Sequence, residues 1–580
     1  MANFDLIIRG GSLADGTGAP VTQTDIAIKD GCIAHVGPLG LDVEATEIMD
    51  ATGLLVTPGW VDVHTHYDGQ VTWDSYVTPS SLHGVTTVVM GNCGVGFAPV
   101  RPADHQTLIS LMEGVEDIPG AALHEGLSWN WESFPDYLDA IEERAHDIDV
   151  AAQVPHGALR VYVMGARGVA LEKATQDDIR TMGELTRDAV KAGALGFTTS
   201  RTILHKTAEG DAVPTYDADR EELVGIAKLM GEADAGVLQV VSDFAKLGPE
   251  FETLEEMVAL SGRPLSLTVA QADVMPGRYQ DILKHLEAAN DKGLEMRGQV
   301  ANRPVGLLLG LQGSVHPFIT YPSYQGVARL PLPERVAKMK DPEFRKQLLS
   351  EAPQKGNVFA NHIASSYDKM FRLGTPPNYE PEPDTSIAAL ATRKGVQADE
   401  LAYDILLEDE GREFLYFPFL NYAAFDLDAV HEMLAHPNTI PGLSDGGAHV
   451  GAICDASFPT YMLIHWARDR SRGDRFDLAW LVKRQTRDTA VALGLLDRGL
   501  VAKGYKADLN LIDFEKLSLE GPRMVFDLPA NTRRLMQGAE GYVATIVSGQ
   551  VIRRHGKATG VLPGKLVRGA QSDPVRVAAE

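Results

Sequence analysis

The alternation of two kinds of segment through the middle of the chain constrains its fold more than any other feature. Apolar runs of strand length recur there, and stretches of helical periodicity separate several of them. This alternation is typical of βα units on a parallel sheet. It predicts an α/β fold, a (β/α) barrel over residues 59–498. The runs interpreted as strands are GWVDVHTH, GVTTVVMGN, DVAAQVPHG, GALGFTTS, AGVLQVVSD, PLSLTVAQ, LEMRGQVA, NVFANHIA and IPGLSDGG.

These runs outnumber the eight strands of a barrel, so one or two are misassigned or belong to an insertion. Residues 312–412 are rich in proline, charge and aromatic side chains, which predicts an insertion or lid. The clearest helix signal is TQDDIRTMGELTRDAVKAG. It opens at Thr175, a favoured N-cap residue, and closes at Gly193, a favoured C-cap residue.

Short alternating strands occupy both ends of the chain. FDLIIRGGSLADGTG and DIAIKDGCIAHVG lie near the start, and Asp30-Gly31 in the second is a tight hairpin signal. ADLNLIDFEKL and GYVATIVSGQVIRRHGKATG repeat the pattern near the end. We predict that residues 1–58 and 499–580 form a small β-sandwich domain, with the last residues as a tail.

The composition narrows the classes of partner that the protein is expected to bind. The 580 residues carry a formal net charge of −26, whereas nucleic-acid binding needs clustered Lys and Arg. Three cysteines give no disulfide framework, which favours a reducing compartment, the cytoplasm. We find no signal-peptide pattern and no run near the roughly 20 apolar residues of a membrane span. We therefore expect no nucleic-acid or membrane partner, and leave a homo-oligomer open.

A pair of histidines at the end of the first predicted barrel strand indicates a metal site. In VTPGWVDVHTHYD, His64 and His66 are two residues apart, so a strand projects both to one face. Barrel active sites form at this end of the strands, and imidazole suits zinc and similar metals. The alternative is a pair of hydrogen-bonded core histidines. Asp68 follows as a candidate acceptor for a ligand ring.

Two further segments supply candidate ligands. GVTTVVMGNCGVGFAP ends the next strand and places Cys93 in a glycine-rich turn, where a thiolate ligand and a small buried side chain are equally plausible. IPGLSDGGAHVG places Asp445 after another strand, followed by His449. A carboxylate there can bind a metal and take a proton from water, although an aspartate capping a helix is the other reading.

Taken together, these motifs resemble the amidohydrolase superfamily, and within it the N-acyl-D-amino-acid deacylases (D-aminoacylases). The similarity runs along most of the chain, and GNCG after the H-x-H strand is its most specific part. The resemblance implies a distorted TIM barrel beside a β-sandwich. It assigns the metal ligands to His64, His66 and Cys93, and the general base that activates metal-bound water to Asp445. It also gives His156, in PHGALR, a supporting role.

The chain departs from the family pattern at two strands. The family carries a histidine at the end of strand five and another at the end of strand six, where this chain has Val241 and Gln271. Asp273 stands where the deacylases have a lysine that pairs with the substrate carboxylate. Asp243 and Gln271 are candidate substitute ligands. The residues that could replace the missing cation are Arg201, Lys206 and Arg303.

The sequence thus predicts a metal-dependent hydrolase of a C–N bond, similar to the N-acyl-D-amino-acid deacylases. The expected cofactor is Zn2+, one or two ions, with another divalent metal as the alternative, and the expected partner is a small-molecule amide. His449 or His156 is the candidate oxyanion donor. An Asp in place of Lys repels an anionic group, so a hydrolase of a neutral or cyclic amide or formamide is the first alternative. A barrel that lost its metal chemistry and became a binding protein is the second.

Overall fold

Parallel strands form the centre of the molecule in the computed structural model, which describes residues 4–355 and 358–577. A three-stranded sheet contains Trp60–Asp62, Val85–Met90 and Asp149–Ala152. A six-stranded sheet contains, in spatial order, Val154–Pro155, Gly196–Arg201, Val237–Ser242, Leu265–Val269, Met296–Val300 and Thr439–Pro441. Every neighbouring pair in both sheets is parallel.

The strands follow one another in space in the order in which they occur in the chain. Gln153 alone separates Asp149–Ala152 from Val154–Pro155, so the first sheet leads directly into the second. An isolated parallel bridge joins Thr65 to Gly446, and it brings the segment after the first strand to the segment after the last. The carboxyl ends of these strands therefore meet at one edge, where loops can combine side chains from different strands. The mixed α/β fold is confirmed.

Helices connect the parallel strands. The predicted helix after Thr175 is confirmed: Gln176–Ala192 starts with a capping box at Thr175 and ends at Gly193, whose φ is +116°. Among the residues described, the α-helices outside the insertion are Gln70–Trp73, His105–Glu116, Gly120–Gly126, Phe134–Glu142, His156–Met164, Ala166–Val169, Gln176–Ala192, Arg220–Gly231, Leu247–Ser261, Arg278–Asp291, Asp428–Ala435, Phe458–Leu463, Leu478–Lys483, Thr489–Ala492 and Pro574–Val577, and Ile464–Asp469 and Arg484–Asp488 are π-helical.

A long segment separates Met296–Val300 from Thr439–Pro441, and the predicted insertion 312–412 lies within it. This segment has a hydrophobic cluster of its own, which includes Phe318, Tyr403 and Phe417. Its strands are Gly306–Leu309, Phe371–Arg372 and Leu415–Pro418. Besides Asp428–Ala435, named above, its α-helices among the residues described are Pro322–Gln325, Leu332–Met339, Pro342–Leu349, Val358–Ser365, Ile387–Lys394 and Ala398–Leu406.

One predicted barrel strand is wrong. The run NVFANHIA, residues 357–364, is helical in Val358–Ser365, while Asn357 lies outside the described residues. Ala360, Ile363 and Ala364 are buried, a spacing of three and four residues that fits one face of a helix. The composition of this short apolar run did not distinguish a strand from a buried helix.

Both chain ends contribute to one nine-stranded sheet. Its two halves join where Leu55–Pro58 pairs antiparallel with Leu509–Ile512. The predicted hairpin at Asp30-Gly31 is confirmed, since both residues have positive φ, 51° and 77°. The other strands of this sheet are Phe4–Leu13, Thr22–Lys29, Cys32–Val36, Ala45–Asp50, Tyr542–Val547, Gln550–Arg554 and Lys557–Ala558. Two small ribbons pair Ser518–Leu519 with Ala539–Glu540 and Arg523–Leu528 with Thr532–Met536.

Among the residues described, none of the helices combines the length and the apolar content that crossing a bilayer requires.

Candidate metal centre

His64 and His66 lie side by side just beyond the carboxyl end of Trp60–Asp62. Both side chains are almost fully buried, and their ring centroids are 5.4 Å apart. Thr65 turns the other way, and its hydroxyl donates to the carbonyl of Val89 at 2.8 Å. The alternation of an extended backbone therefore presents both imidazoles to the same space, as the sequence predicted.

Cys93 approaches the imidazole pair from the next strand. Its backbone is left-handed, with a φ of +56°, and its amide donates to Gln239 Oε1 at 3.2 Å. Its Sγ lies 3.3 Å from His64 Nε2. Gly94 allows this tight turn, because a Cβ there would lie 3.0 Å from Thr199 Cα. One donor atom from each of His64, His66 and Cys93 lies within 4.8 Å of the others, so the three can hold a metal ion together.

Asp445 completes the cluster from the segment after the last strand. Its φ is +48°, and its amide donates to the carbonyl of His64 at 3.1 Å. This hydrogen bond places Asp445 Oδ1 3.4 Å from His64 Nε2 and 3.6 Å from His66 Nε2. The four residues predicted as ligands, which come from three different strand ends, therefore converge at one point.

Two residues that the sequence patterns did not single out lie against the ligand rings. Gln299 Oε1 lies 2.6 Å from His64 Nδ1 and, as an acceptor, requires the proton on that nitrogen, which leaves Nε2 facing Cys93 and Asp445. Glu116, at the end of His105–Glu116, has Oε1 3.2 Å from His66 Nδ1. Neither residue belongs to a motif, because each reaches the cluster from an element far away in the chain.

The charges of the cluster fit a bound cation. Burial raises the pKa of Glu116 and of the Cys93 thiol well above their usual values, and nearby carboxylates, Asp445 and Asp68, reinforce both shifts. Burial also raises the pKa of Asp68 to about 7. Concentrating buried acids in this way is costly without positive charge.

The hydrogen bonding of the cluster also indicates a bound cation. Both ring nitrogens of His66 and both carboxylate oxygens of Glu116 are buried without a hydrogen bond, although they lie within ion-pair distance of each other. Two imidazoles, a thiolate and a carboxylate form a donor set suited to zinc. Buried ligand atoms without hydrogen bonds and a cluster of buried acids together show that these residues fit a divalent metal.

His449 and His156 occupy different surroundings. His449 Nε2 lies 3.5 Å from Glu116 Oε2, so its ring borders the cluster and is partly exposed. The ring of His156 is fully buried, with Nδ1 2.8 Å from Thr199 Oγ1 and Nε2 2.8 Å from Glu222 Oε1. Both nitrogens of His156 are thus engaged inside the protein, which is a correction to its expected role as an oxyanion donor.

The candidate substitute ligands serve the loops instead. Asp243 accepts a hydrogen bond from the amide of Ile203 at 2.8 Å and another from the hydroxyl of Thr202. Gln271 accepts from the amide of Ala423 at 3.1 Å, and its own amide group donates to Pro276. The polar atoms of both residues are therefore used to join segments of backbone.

Two of the three candidate cations, Arg201 and Arg303, are also engaged. Arg201 forms a two-point ion pair with Glu250, at 2.9 and 3.2 Å. Arg303 is fully buried, pairs with Asp455 at 3.0 Å and stacks on Tyr379 with its guanidinium carbon 3.5 Å from the ring centre. Arg303 was a candidate for the cation that pairs with the substrate, so its burial among aromatic rings is a correction.

A cation that the sequence did not predict lies next to Asp273. Lys369, from the segment between the last two parallel strands, forms an ion pair with Asp273, and only 9% of its side chain is exposed. The pair borders a cavity of about 430 Å³ that is also lined by Gln271 and Phe425. No local pattern could have linked Lys369 with Asp273, because the insertion brings them together.

The comparisons with known proteins identify the family of this chain. The profile of the amidohydrolase family matches residues 47–553, so the chain belongs to the amidohydrolase family. It is a hydrolase that acts on carbon–nitrogen bonds other than peptide bonds. More particularly, it is 28% identical to the D-aminoacylase of Alcaligenes xylosoxydans xylosoxydans, over 88% of each chain.

Two solved structures share the fold. One is a D-aminoacylase studied for its binuclear metal centre, with a TM-score of 0.64, 24% identity and coverage of 98% of this chain and 100% of that one. The other is the N-acyl-D-glutamate deacylase of Bordetella bronchiseptica with zinc and a phosphonate inhibitor, with a TM-score of 0.62, 22% identity and coverage of 97% and 99%.

Proposed function

We propose that this amidohydrolase removes the acyl group from an N-acylated amino compound of the kind that the D-aminoacylases cleave. The convergence of His64, His66, Cys93 and Asp445 carries the proposal, because it provides a complete donor set at the carboxyl edge of the strands. The identity to a D-aminoacylase over 88% of the chain supports the substrate class.

The metal in this proposal is zinc, as one or two ions, held by those four side chains. When bound, it lowers the pKa of the attacking water from about 15.7 to about 7 and polarises the substrate carbonyl. Asp445 accepts the proton of the water and passes it to the leaving nitrogen. Burial opposes ionisation of Asp445, but the neighbouring rings of His66 and His64 outweigh it and hold its pKa below the usual value.

The proposed architecture is a closed, distorted TIM barrel over residues 59–498 with a β-sandwich from residues 1–58 and 499–580. The parallel bridge between Thr65 and Gly446 supports closure, because it links the first and last strand ends. Pairing of Leu55–Pro58 with Leu509–Ile512 supports a shared domain at the chain ends. Residues 312–412 act as the lid in this proposal.

The substitution Asp445→Asn tests the mechanism. It keeps the size of the side chain and should leave the fold and most of the bound metal in place, while kcat on N-acetyl amino acids falls by at least about 10²- to 10⁴-fold as general-base catalysis is lost. Metal content and circular dichroism serve as controls. Wild-type activity in a metal-loaded Asp445→Asn variant would refute the role of this carboxylate.

A second substrate class, amides without a carboxylate, is favoured by the Asp273–Lys369 pair. Asp273 neutralises the lysine at the edge of the cavity, while Arg201 and Arg303 are already paired. A substrate carboxylate would have to compete with Asp273 for Lys369. N-acetyl-D-amino acids, their methyl amides and formamides should be compared with the wild type and with Asp273→Asn. A preference for the acids that rises in Asp273→Asn supports the deacylase; an unchanged preference for neutral amides supports the second class.

A further inference from the structure

His205 lies in the loop after Gly196–Arg201, and its ring is half-buried. The loop packs against the turn that carries Cys93 and against the helix that carries Glu116, and both elements reach the metal centre. We propose that His205 contacts the substrate and donates a hydrogen bond to the oxygen of the scissile carbonyl. This inference rests on the hydrolase function proposed above.

The turn that carries Cys93 packs against the residue that holds His205. Ser200 Oγ lies 2.7 Å from His205 Nδ1. A Cβ on Gly94 would lie only 3.1 Å from the backbone nitrogen of Ser200, and the amide of Gly94 donates to Thr198 Oγ1 at 3.1 Å. His205 is therefore connected to the Cys93 turn through one intervening residue.

The helix that carries Glu116 packs on the other side of the same loop. A Cβ on Gly114 would lie 2.1 Å from the carbonyl carbon of Thr207 and 2.4 Å from the carbonyl oxygen of Lys206. Glu116, two residues further along this helix, contacts the rings of His66 and His449. The loop of His205 is thus bracketed by two elements that reach the centre.

Hydrogen bonds hold this loop in place. Asp243, beyond the end of Val237–Ser242, accepts from the amide of Ile203 at 2.8 Å and from the hydroxyl of Thr202. Thr215 Oγ1 donates to the carbonyl of Ser200 at 2.7 Å, which ties the far side of the loop to the strand. Such anchoring supplies the fixed geometry that a preorganised hydrogen-bond donor needs.

The ring has the right donor for this role. When the Ser200 hydroxyl donates to Nδ1, the proton of the neutral ring is on Nε2, and Nε2 has no hydrogen-bond partner within residues 4–355 and 358–577. Burial, together with the charges of His449 and His66, lowers the pKa of His205 to about 3 and keeps the ring neutral. In the described part of the chain, only His64, His66 and Cys93 form the tight ligand group, which favours substrate contact over metal ligation for His205.

The chemistry balances without a proton from His205. The water oxygen forms a bond to the carbonyl carbon, the carbon–nitrogen bond breaks, and Asp445 carries the proton from the water to the nitrogen. The carbonyl oxygen gains negative charge in between, and a donor aimed at it strengthens as that charge develops. His205 keeps its Nε2 proton throughout.

The test compares His205→Ala with His205→Gln, which retains an N–H donor. Measurements are kcat and KM on the amide that the wild type cleaves fastest, the metal content, and the affinity for a phosphonate that mimics the tetrahedral intermediate. We expect His205→Ala to lower kcat by about 10²- to 10³-fold, the usual loss for one oxyanion donor, with metal content unchanged. His205→Gln should recover part of kcat. The control is His35→Ala, which removes a half-buried imidazole from Cys32–Val36 in the end sheet.

Each outcome decides the matter. A wild-type kcat in His205→Ala overturns this inference and leaves the hydrolase function standing. A loss of kcat that follows a loss of metal overturns it too, because His205 would then act through the ion. A wild type that neither cleaves any amide of the panel nor binds the phosphonate overturns both this inference and the proposed function.

Discussion

Replacing Gln299 should weaken metal binding without touching a ligand. Gln299 Oε1 accepts from His64 Nδ1 at 2.6 Å, and both side chains are buried. Its amide nitrogen donates to Ser266 Oγ at 2.9 Å, which fixes the orientation of the amide. In Gln299→Met the side chain keeps its length, but Nδ1 of His64 loses its hydrogen-bond acceptor. The tautomer of the His64 ring is then no longer fixed.

The expected fall in zinc affinity follows from the loss of the hydrogen bond between His64 and Gln299. Leaving a buried donor unpaired costs about 1–3 kcal/mol. Each 1.4 kcal/mol is about tenfold in an equilibrium constant. We therefore expect zinc affinity to fall by about 10- to 100-fold, the range found when partners of metal-bound histidines are removed. Gln299→Glu, which keeps an acceptor at the same distance, should bind zinc at least as tightly as the wild type.

Competition with a chelating dye at fixed pH measures this affinity. Gln537→Met is the matched control, because Gln537 is an equally buried glutamine whose side chain contacts Tyr379 and Glu520 rather than a ligand. If folded Gln299→Met binds zinc as tightly as the wild type, or if the control loses as much affinity, the orientation of His64 by Gln299 is refuted.

Three further predictions concern the centre, its loop and a remote histidine. The cobalt-loaded Cys93→Ser variant should lose the thiolate-to-metal absorption band. Its zinc affinity should fall by more than the roughly 10- to 100-fold expected when a residue that hydrogen-bonds to a ligand is removed. An unchanged spectrum would exclude Cys93 as a ligand. Gly114→Ala should displace the loop at Thr207 and lower kcat by about 10²-fold, as a misplacement near 1 Å does, whereas Gly248→Ala, with nothing within 4 Å, should have no effect. The third prediction concerns stability: burial lowers the pKa of His83, a histidine away from the metal centre, to about 4. Its neutral form therefore favours folding fully above pH 6.5, and its share of the free energy of unfolding, roughly 2 kcal/mol, should be lost by pH 5. In urea titrations the loss of stability between pH 6.5 and pH 5 should therefore be smaller in His83→Gln than in the wild type by about that amount.

Local patterns were sufficient for most of the parallel strands and for placing the candidate ligands at strand ends, whereas the family resemblance joined Cys93 and Asp445 to the histidine pair. His64 and His66 share a strand end, and Cys93 and Asp445 each follow an apolar run, so each position could be read from neighbouring residues. The same local reading misassigned residues 357–364, because a short apolar run satisfies both periodicities when its surroundings are unknown.

Contacts between distant segments explain what local patterns missed. No motif surrounds Gln299, Glu116 or Lys369. Each of them contacts a partner that is tens or hundreds of residues away in the chain, and the packing of distant elements brings the two together. Arg303 and His156 look like free functional side chains in the sequence, but tertiary packing buries both with partners.

The sequence by itself determined which residues stand at the ends of the parallel strands, since strand periodicity and turn residues act over a few positions. Only the tertiary structure decided which of those ends face one another, which rings lie next to Gln299 and Glu116, and where the loop of His205 lies. The physical reason is range: backbone conformation is set by adjacent residues, whereas a site is set by the packing of elements that are remote in the chain.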